Sequence, residues 1–272
     1  MRSDELSIRL LGPLEVTRAG MPIALGARAQ QALLARLLLD ANRTVAIHRL
    51  IEDLWGEEAP ASAMKMVHIH VSKLRKLLPS GMLVTRAPGY AIEIEPSALD
   101  VVRFERLRGQ GRPHDALELW RGPALAEFDE PFAFVESARL EELHLATVED
   151  RVDADLAAGR HAGLAGELEA LVARNPLRER LRSQLMLARY RSGRQVEALA
   201  GYREFRELLA TELGIEPSAA LRDLERRMLQ QDPALDLPPA QPVHIRALRH
   251  RPQRRGAARS APRRRCELAL SA

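Results

Sequence analysis

Residues 64–78 read "MKMVHIHVSKLRKLL" and residues 82–95 read "MLVTRAPGYAIEIE". At 100° per residue, Ala63, Val67, Val71, Leu74 and Leu78 fall within about 80° of one another, a stripe wide enough to bury. The spacing predicts a helix over 63–78, with Ser62 as its N-cap. Opposite the stripe lie Lys65, Ile69, Ser72 and Lys76, flanked by His68, Lys73 and Arg75, and no acidic residue stands between Lys65 and Arg86. In the second stretch two β-like runs flank Ala87-Pro88-Gly89, whose turn chemistry predicts a hairpin. A helix followed by a hairpin is the closing part of a winged helix when further helices precede it.

They do. Residues 6–25, "LSIRLLGPLEVTRAGMPIAL", read as short strands broken at Gly12-Pro13 and turning at Ala19-Gly20. From Ala27 the period becomes helical, with Leu33, Leu34, Leu37, Leu38 and Ala41 on one side and Asn42 as a stop. A short extended link, Thr44 to Ala46, leads to a second helix over 47–55, whose apolar stripe is Leu50, Ile51, Leu54 and Trp55. The loop "GEEAPAS" then joins it to the third helix. Residues 1–95 are therefore expected to form a winged helix-turn-helix domain.

Residues 96–231 are helical almost throughout and carry a weak internal repeat. "GRPHDALELW" (111–120), "GRHAGLAGEL" (159–168) and "GRQVEALAGY" (193–202) each place a glycine at a helix junction. Gly159 to Gly193 spans 34 residues, the tetratricopeptide period, in which paired antiparallel helices bury small residues against large ones. The expected architecture is mainly α with a small β component: a winged helix followed by an all-α, tetratricopeptide-like helical repeat domain. Residues 232–272 are rich in Pro and Arg, lack periodicity, and read as a disordered basic tail.

Composition agrees with packed helices, since hydrophobic residues make up 46% of the 272 but aromatics only 4%. The formal charge of +4 divides into +2 over 1–95, −4 over 96–231 and +6 over 232–272. Global basicity thus comes mainly from the tail, and any case for a polyanionic partner rests on local pattern. The single cysteine, Cys266, excludes an intrachain disulfide framework and a cysteine-based zinc site. No run approaches the ~18 apolar residues of a membrane span, and the N-terminus lacks a signal peptide's apolar region. A cytoplasmic protein with no membrane partner is expected.

Enzyme chemistry is not expected either. His68 and His70 are two residues apart on a helix, hence about 200° apart, and cannot share an ion. The other histidines show no ligand spacing, and neither a Walker sequence, a nucleophile elbow nor a zinc-protease helix occurs. No catalytic residue, metal or cofactor is assigned.

The basic face of the third helix fits a solvated surface and a DNA-reading surface about equally on composition alone. Two features favour DNA. Ile69 lies exposed among cations, which suits a thymine methyl, while Lys, Arg, Ser and His reach phosphates and base edges in a major groove. The hairpin carries Arg86 near its tip, where a wing reaches a minor groove or a phosphate. Tyr90 reads as a packing residue of that hairpin.

"VHIHVSKLRKLL" followed by "LVTRAPGYAIEI" resembles the third helix and wing of the OmpR-type domain, an output domain of the two-component kind. With "IRLLGPLEV", "LWGEEAP", "ALELWRGPAL", "RNPLRERL" and "YREFRELLATELGIEPSAALRDL", the chain over 6–231 resembles the Streptomyces antibiotic regulatory protein family, whose second half is the bacterial transcriptional activator domain. The resemblance implies a sequence-specific transcriptional activator of a secondary-metabolite, antibiotic, gene cluster, located at the nucleoid. It implies homodimers side by side on direct repeats of double-stranded DNA near the promoter −35 region, recruiting RNA polymerase holoenzyme through its sigma factor. Carried over by position, Lys73 and Arg75 lead the DNA contacts, supported by Lys65, His68, Ile69, Ser72, Lys76 and Arg86. Ser72 stands where many relatives carry Arg or another polar residue. The loop 56–62 corresponds to the polymerase-facing loop, with Glu57 and Glu58 as its acidic contacts. Between Phe104 and Ala116 only "ERLRGQGRPHD" occurs, which predicts a shortened first helix in the activator domain. Two other readings stay open: a helical-repeat adaptor for protein partners, favoured by the −4 charge of 96–231, and a ligand-sensing regulator, for which the sequence shows no pocket.

Overall fold

The computed structural model describes residues 6–236, so residues 237–272 of the expected basic tail lie outside the described residues. β1 (Leu6–Arg9), β2 (Glu15–Arg18) and β3 (Met21–Pro22) form an antiparallel sheet in that order. Ala19 and Gly20, at φ 52° and 78°, make the left-handed turn between β2 and β3. Register sets Ile8 opposite Val16, and both are buried.

Three helices follow: α1 (Arg28–Leu39), α2 (Ile47–Trp55) and α3 (Ala63–Leu77). Leu33, Leu34, Leu37 and Leu38 of α1 are wholly buried, as are Leu50 of α2 and Val67 and Leu74 of α3. All five stripe residues of α3 and its end, Ala63, Val67, Val71, Leu74 and Leu78, are buried, as their spacing predicts. Each fully buried aliphatic side chain contributes about 1.5–3 kcal/mol, so this face holds α3 in place. Ser62 occupies the N-cap position, but its side chain accepts no cap hydrogen bond. The Ala63 N–H donates instead to the Pro60 carbonyl at 2.8 Å. A buried ion pair, Arg36 with Asp53, ties α1 to α2.

The wing is a three-stranded sheet of β4 (Val45–Ala46), β5 (Leu83–Arg86) and β6 (Gly89–Ile92), ordered β4-β6-β5. The link after α1, expected only as an extended connection, is thus its third strand. Gly89 makes this pairing possible, since a Cβ there would stand 1.9 Å from the Val45 carbonyl oxygen. Asn42, left-handed at φ 66°, both stops α1 and clamps the sheet. Its N–H donates to the Ile92 carbonyl at 2.7 Å, and its Oδ1 accepts the Ile94 N–H at 3.0 Å.

The remainder is helical: α4 (Asp100–Gly109), α5 (Pro113–Leu117), α6 (Pro131–Ala157), α7 (Leu164–Arg174), α8 (Glu179–Arg191), α9 (Gln195–Leu213) and α10 (Ala219–Leu229). The three repeat glycines follow α4, α6 and α8, each left-handed, with φ 69°, 80° and 76° at Gly111, Gly159 and Gly193. The arginine after each glycine donates its N–H five residues back, Arg112 to Leu107, Arg160 to Asp155 and Arg194 to Arg189. This is the Schellman closure of a helix end, and it needs the αL residue that glycine supplies without strain. Gln231 repeats it after α10 at φ 52°, with Asp232 N–H donating to Arg227. The chain then passes into a 3-10 turn, Pro233–Leu235, with Leu235 buried. Residues 232–236, expected as the start of the tail, are this folded ending. The short helix of the first pair is α5, at 5 residues, rather than α4, at 10, and Phe104 of α4 is fully buried against Trp120.

Packing does not pause at residue 95. One core cluster joins Ile8, Leu10, Leu33, Val67 and Ile92 to Leu99, Phe104, Leu125, Phe128 and Leu140. Asp100, 3% exposed, accepts the backbone N–H groups of Leu10, Leu11 and Val101 at 2.8–3.0 Å. Burial pushes its carboxyl above the usual carboxylate range, and the three N–H donors oppose that shift. The Arg121 N–H donates to the Leu11 carbonyl at 2.9 Å, so the N-terminal sheet is held from the helical half.

Candidate nucleic-acid interface

The buried stripe of α3 leaves the opposite side in water. Lys65, His68, Ile69, Ser72, Lys73, Arg75 and Lys76 are all exposed, Ile69 by 42%. None of the three lysines makes an ion pair or a hydrogen bond among the described residues. They are also all the lysines the chain has, every other Lys or Arg in 272 residues being Arg. That count is a plain compositional signal which the helical periodicity does not contain. An ammonium is a compact, strongly hydrated charge without the planar fork that locks guanidinium onto carboxylates, so these cations stay available.

Arg75, expected to lead the DNA contacts, is committed to the wing. Its Nε donates to the Leu83 carbonyl at 3.0 Å, its Nη2 donates to Thr85 Oγ1 at 2.7 Å, and its guanidinium lies 5.8 Å from the centre of the Tyr90 ring. His68 meets the same ring edge-on at 6.3 Å. Tyr90 is buried, in keeping with a packing role. Arg75 and Tyr90 thus brace the wing against α3 and fix the angle between them. Spacing identifies position 75 as wet but not the strand that passes beside it.

Arg86 ends β5 and donates from Nη2 to Glu93 Oε1 at 2.6 Å. Both side chains are about half exposed, and such a pair is worth only about 0–1 kcal/mol. A phosphate can replace the carboxylate at little cost. His70 faces inward: both ring nitrogens are buried without a hydrogen-bond partner, and burial, helped by Lys73, lowers its pKa. Its ring belongs to the packing.

Glu57 and Glu58 sit on a single 3-10 turn, Gly56–Glu58, that prolongs α2. Both are exposed, and neither makes an ion pair among the described residues. Gly56 takes φ 56°, and a Cβ on it would lie 3.4 Å from Pro131 at the start of α6. A cleft of about 320 Å³ opens there, lined by Arg49, Glu52, Gly56, Pro131 and Val135. Val135 and its neighbour Phe134 are each 69% exposed, so the acidic turn stands beside an apolar edge. Among the described residues no helix is long and apolar enough to cross a membrane.

Comparison with known proteins finds two family matches along the chain. Residues 20–92 match the family described as transcriptional regulatory protein, C terminal, and residues 99–229 match the bacterial transcriptional activator domain. The regulatory protein AfsR of Streptomyces coelicolor is 46% identical over 248 residues, 86% of this chain and 25% of that protein. The chain therefore spans about a quarter of the length of that relative. The regulatory protein DnrI of Streptomyces peucetius is 36% identical over 257 residues, 85% of this chain and 94% of that one. A solved structure of Mycobacterium tuberculosis EmbR, in complex with a low affinity phosphopeptide, superposes with a TM-score of 0.76 at 36% identity. It covers 84% of this chain and 66% of that one.

Proposed function

The chain belongs to the Streptomyces antibiotic regulatory protein family of transcriptional regulators, an OmpR-type winged helix joined to a bacterial transcriptional activator domain, and from that premise we propose that it activates transcription by binding double-stranded DNA through α3 and the wing. The observation that carries this reading is the wet side of α3, where all three lysines of the chain stand unpaired among the described residues on one helix held rigidly by its buried stripe. In this reading Lys65, Lys73 and Lys76 neutralise phosphates at the edges of a major groove. Ile69, Ser72 and His68 face base edges, and Arg86 leaves Glu93 for a backbone phosphate of the adjoining groove. Arg75 acts through the wing as a positioning residue. The sites are direct repeats near a promoter's −35 region, occupied by side-by-side copies, and the regulated genes are those of a secondary-metabolite cluster.

The experiment is titration of the full chain with duplex from its own upstream region, followed by fluorescence anisotropy across a range of salt. Affinity should fall steeply with salt as counterions are released, and Lys73→Ala and Lys76→Ala should each reduce the slope by about one. An unchanged slope in the double variant sinks the reading. The full chain is needed because a 1–95 fragment would expose the apolar surfaces that Leu99, Phe104 and Leu125 cover.

Glu57 and Glu58 are the acidic groups for polymerase, taking basic residues of the sigma factor. Glu57→Lys with Glu58→Lys should leave duplex affinity intact and abolish activation in transcription with purified holoenzyme. Activation at the parental level refutes that assignment.

A further inference from the structure

The helical half holds a half-open cavity of about 190 Å³ between α7, α8 and α9. Part of its lining is apolar, from Val172, Ala173, Leu185 and Met186, and part is cationic, from Arg182 and Arg189. Gly201 on α9 completes the wall, and a Cβ there would lie 3.3 Å from Arg189 Nη1.

Arg182 differs from the arginines around it. Arg189 donates to Glu169 at 2.9 Å, Arg180 to Asp150 and Asp153, and Arg178 to Glu142 and Glu149. Arg182 makes no ion pair among the described residues, and its one hydrogen bond there is a long one, from Nη2 to the Pro176 carbonyl at 3.4 Å. Its Nε is buried and donates to nothing among the described residues, and the same holds for the Nε of Arg189. The guanidinium lies 5.2 Å from the centre of the Phe205 ring, itself fully buried, so its position is fixed from one side. Burial lowers its pKa; attraction by Glu204 opposes that shift and repulsion from Arg189 adds to it. Glu204 attracts it across the cavity without forming an ion pair, so the guanidinium fork keeps open donors that a carboxylate from outside can take.

The surrounding charge says which anion. Glu169 and Glu204 also line the cavity, and a doubly charged phosphate would meet both. A single carboxylate meets the Arg182 fork with half that charge, and the apolar lining accepts the rest of the molecule. The volume holds about six water-sized groups. We propose that this cavity is a binding site for a small organic monocarboxylate with a short apolar body, its carboxylate on Arg182. The helical half is then a receptor for a free acid as well as a scaffold.

The test is calorimetric and methyl-NMR titration of the full chain with sodium isovalerate, with isovaleramide as its neutral isostere. Isovalerate should bind with a dissociation constant on the order of 0.1–1 mM and shift the Met186 methyl, while isovaleramide binds at least tenfold more weakly. Arg182→Gln should weaken isovalerate at least tenfold. Ala173→Met, which plugs the mouth with both arginines kept, should do the same, and unchanged melting of both variants confirms that each is folded. Three results overturn the proposal: no saturable signal at tens of millimolar, amide and acid binding alike, or Arg182→Gln binding as the parent does. Tighter binding of the peptide acetyl-Gly-Gly-Leu than of isovalerate also overturns it, because the site would then serve a chain terminus.

Discussion

The lysines of α3 and the arginines between α6 and α10 carry the same formal charge in opposite circumstances. Lys65, Lys73 and Lys76 have no partner among the described residues, whereas Arg151, Arg178, Arg180, Arg194, Arg206 and Arg227 each hold at least one carboxylate. Glu149 shows how closed the second arrangement is. Its side chain is 2% exposed and accepts from Arg178 Nε at 2.9 Å and Nη2 at 3.2 Å, and Arg178 also donates to Glu142 at 2.6 Å. Counted by residue, the helical half is rich in cations, yet most of them, Arg182 being one exception, are neutralised within the fold. The α3 face holds few cations and leaves them open, so it is the accessible charge, not the total, that marks the surface for a polyanion.

The comparison breaks first at Glu149. Arg178→Ala should cost about 3 kcal/mol in urea unfolding, the lower end for orphaning a buried charge because Arg180 remains at 3.6 Å. Acid acts on the same arrangement. Burial pushes the Asp155 carboxyl up, but hydrogen bonds from Arg160 and His114 outweigh it and hold the group below its ordinary value. A depressed carboxylate contributes stability above its unfolded pKa and loses it as pH falls through the folded one. Thermal midpoints should therefore drop below about pH 4, and Asp155→Asn should flatten that drop.

On α3 the same kind of substitution should leave the fold alone. Lys73→Ala with Lys76→Ala is expected to change unfolding by no more than about 0.5 kcal/mol while weakening duplex binding about equally across sequences. If stability falls instead, these lysines are structural and the contrast fails. Arg75→Ala falls between the two classes: about 1–2 kcal/mol of stability lost with its two hydrogen bonds, and weaker binding that does not alter base preference. Selection of bound sequences by the variant checks the second half. The smallest effect belongs to Glu93→Gln, which frees Arg86 for about 0–1 kcal/mol of stability and should slightly tighten duplex binding at low salt.

Periodicity resolves which side of each helix of the winged half is dry, because burial depends on angle alone; the α3 stripe follows directly from it. It does not resolve which element lies beside a wet flank. Arg75 and Lys73 are both exposed on α3, but only one has β5 within reach. Pairings between distant segments are equally silent. The extended link before α2 becomes a wing strand only because Gly89 lacks a Cβ, and Asp100 finds its donors some 90 residues away at Leu10 and Leu11. The repeat glycines were legible because a left-handed helix end has few chemical solutions. The same closure after α10 carries no such signal, because Gln231 takes that conformation without being a glycine.

The continuous core has a consequence for genetics. Residues 8–92 and 99–140 bury one another, so truncating Phe104, Leu125 or Phe128 removes support from the surfaces that hold α1 and β1. A screen scored only by promoter output would collect loss-of-function alleles on both sides of residue 95, with no gap between two phenotypic classes. Alleles on the α3 lysines would stand apart, since their products should accumulate to normal levels while failing at the promoter.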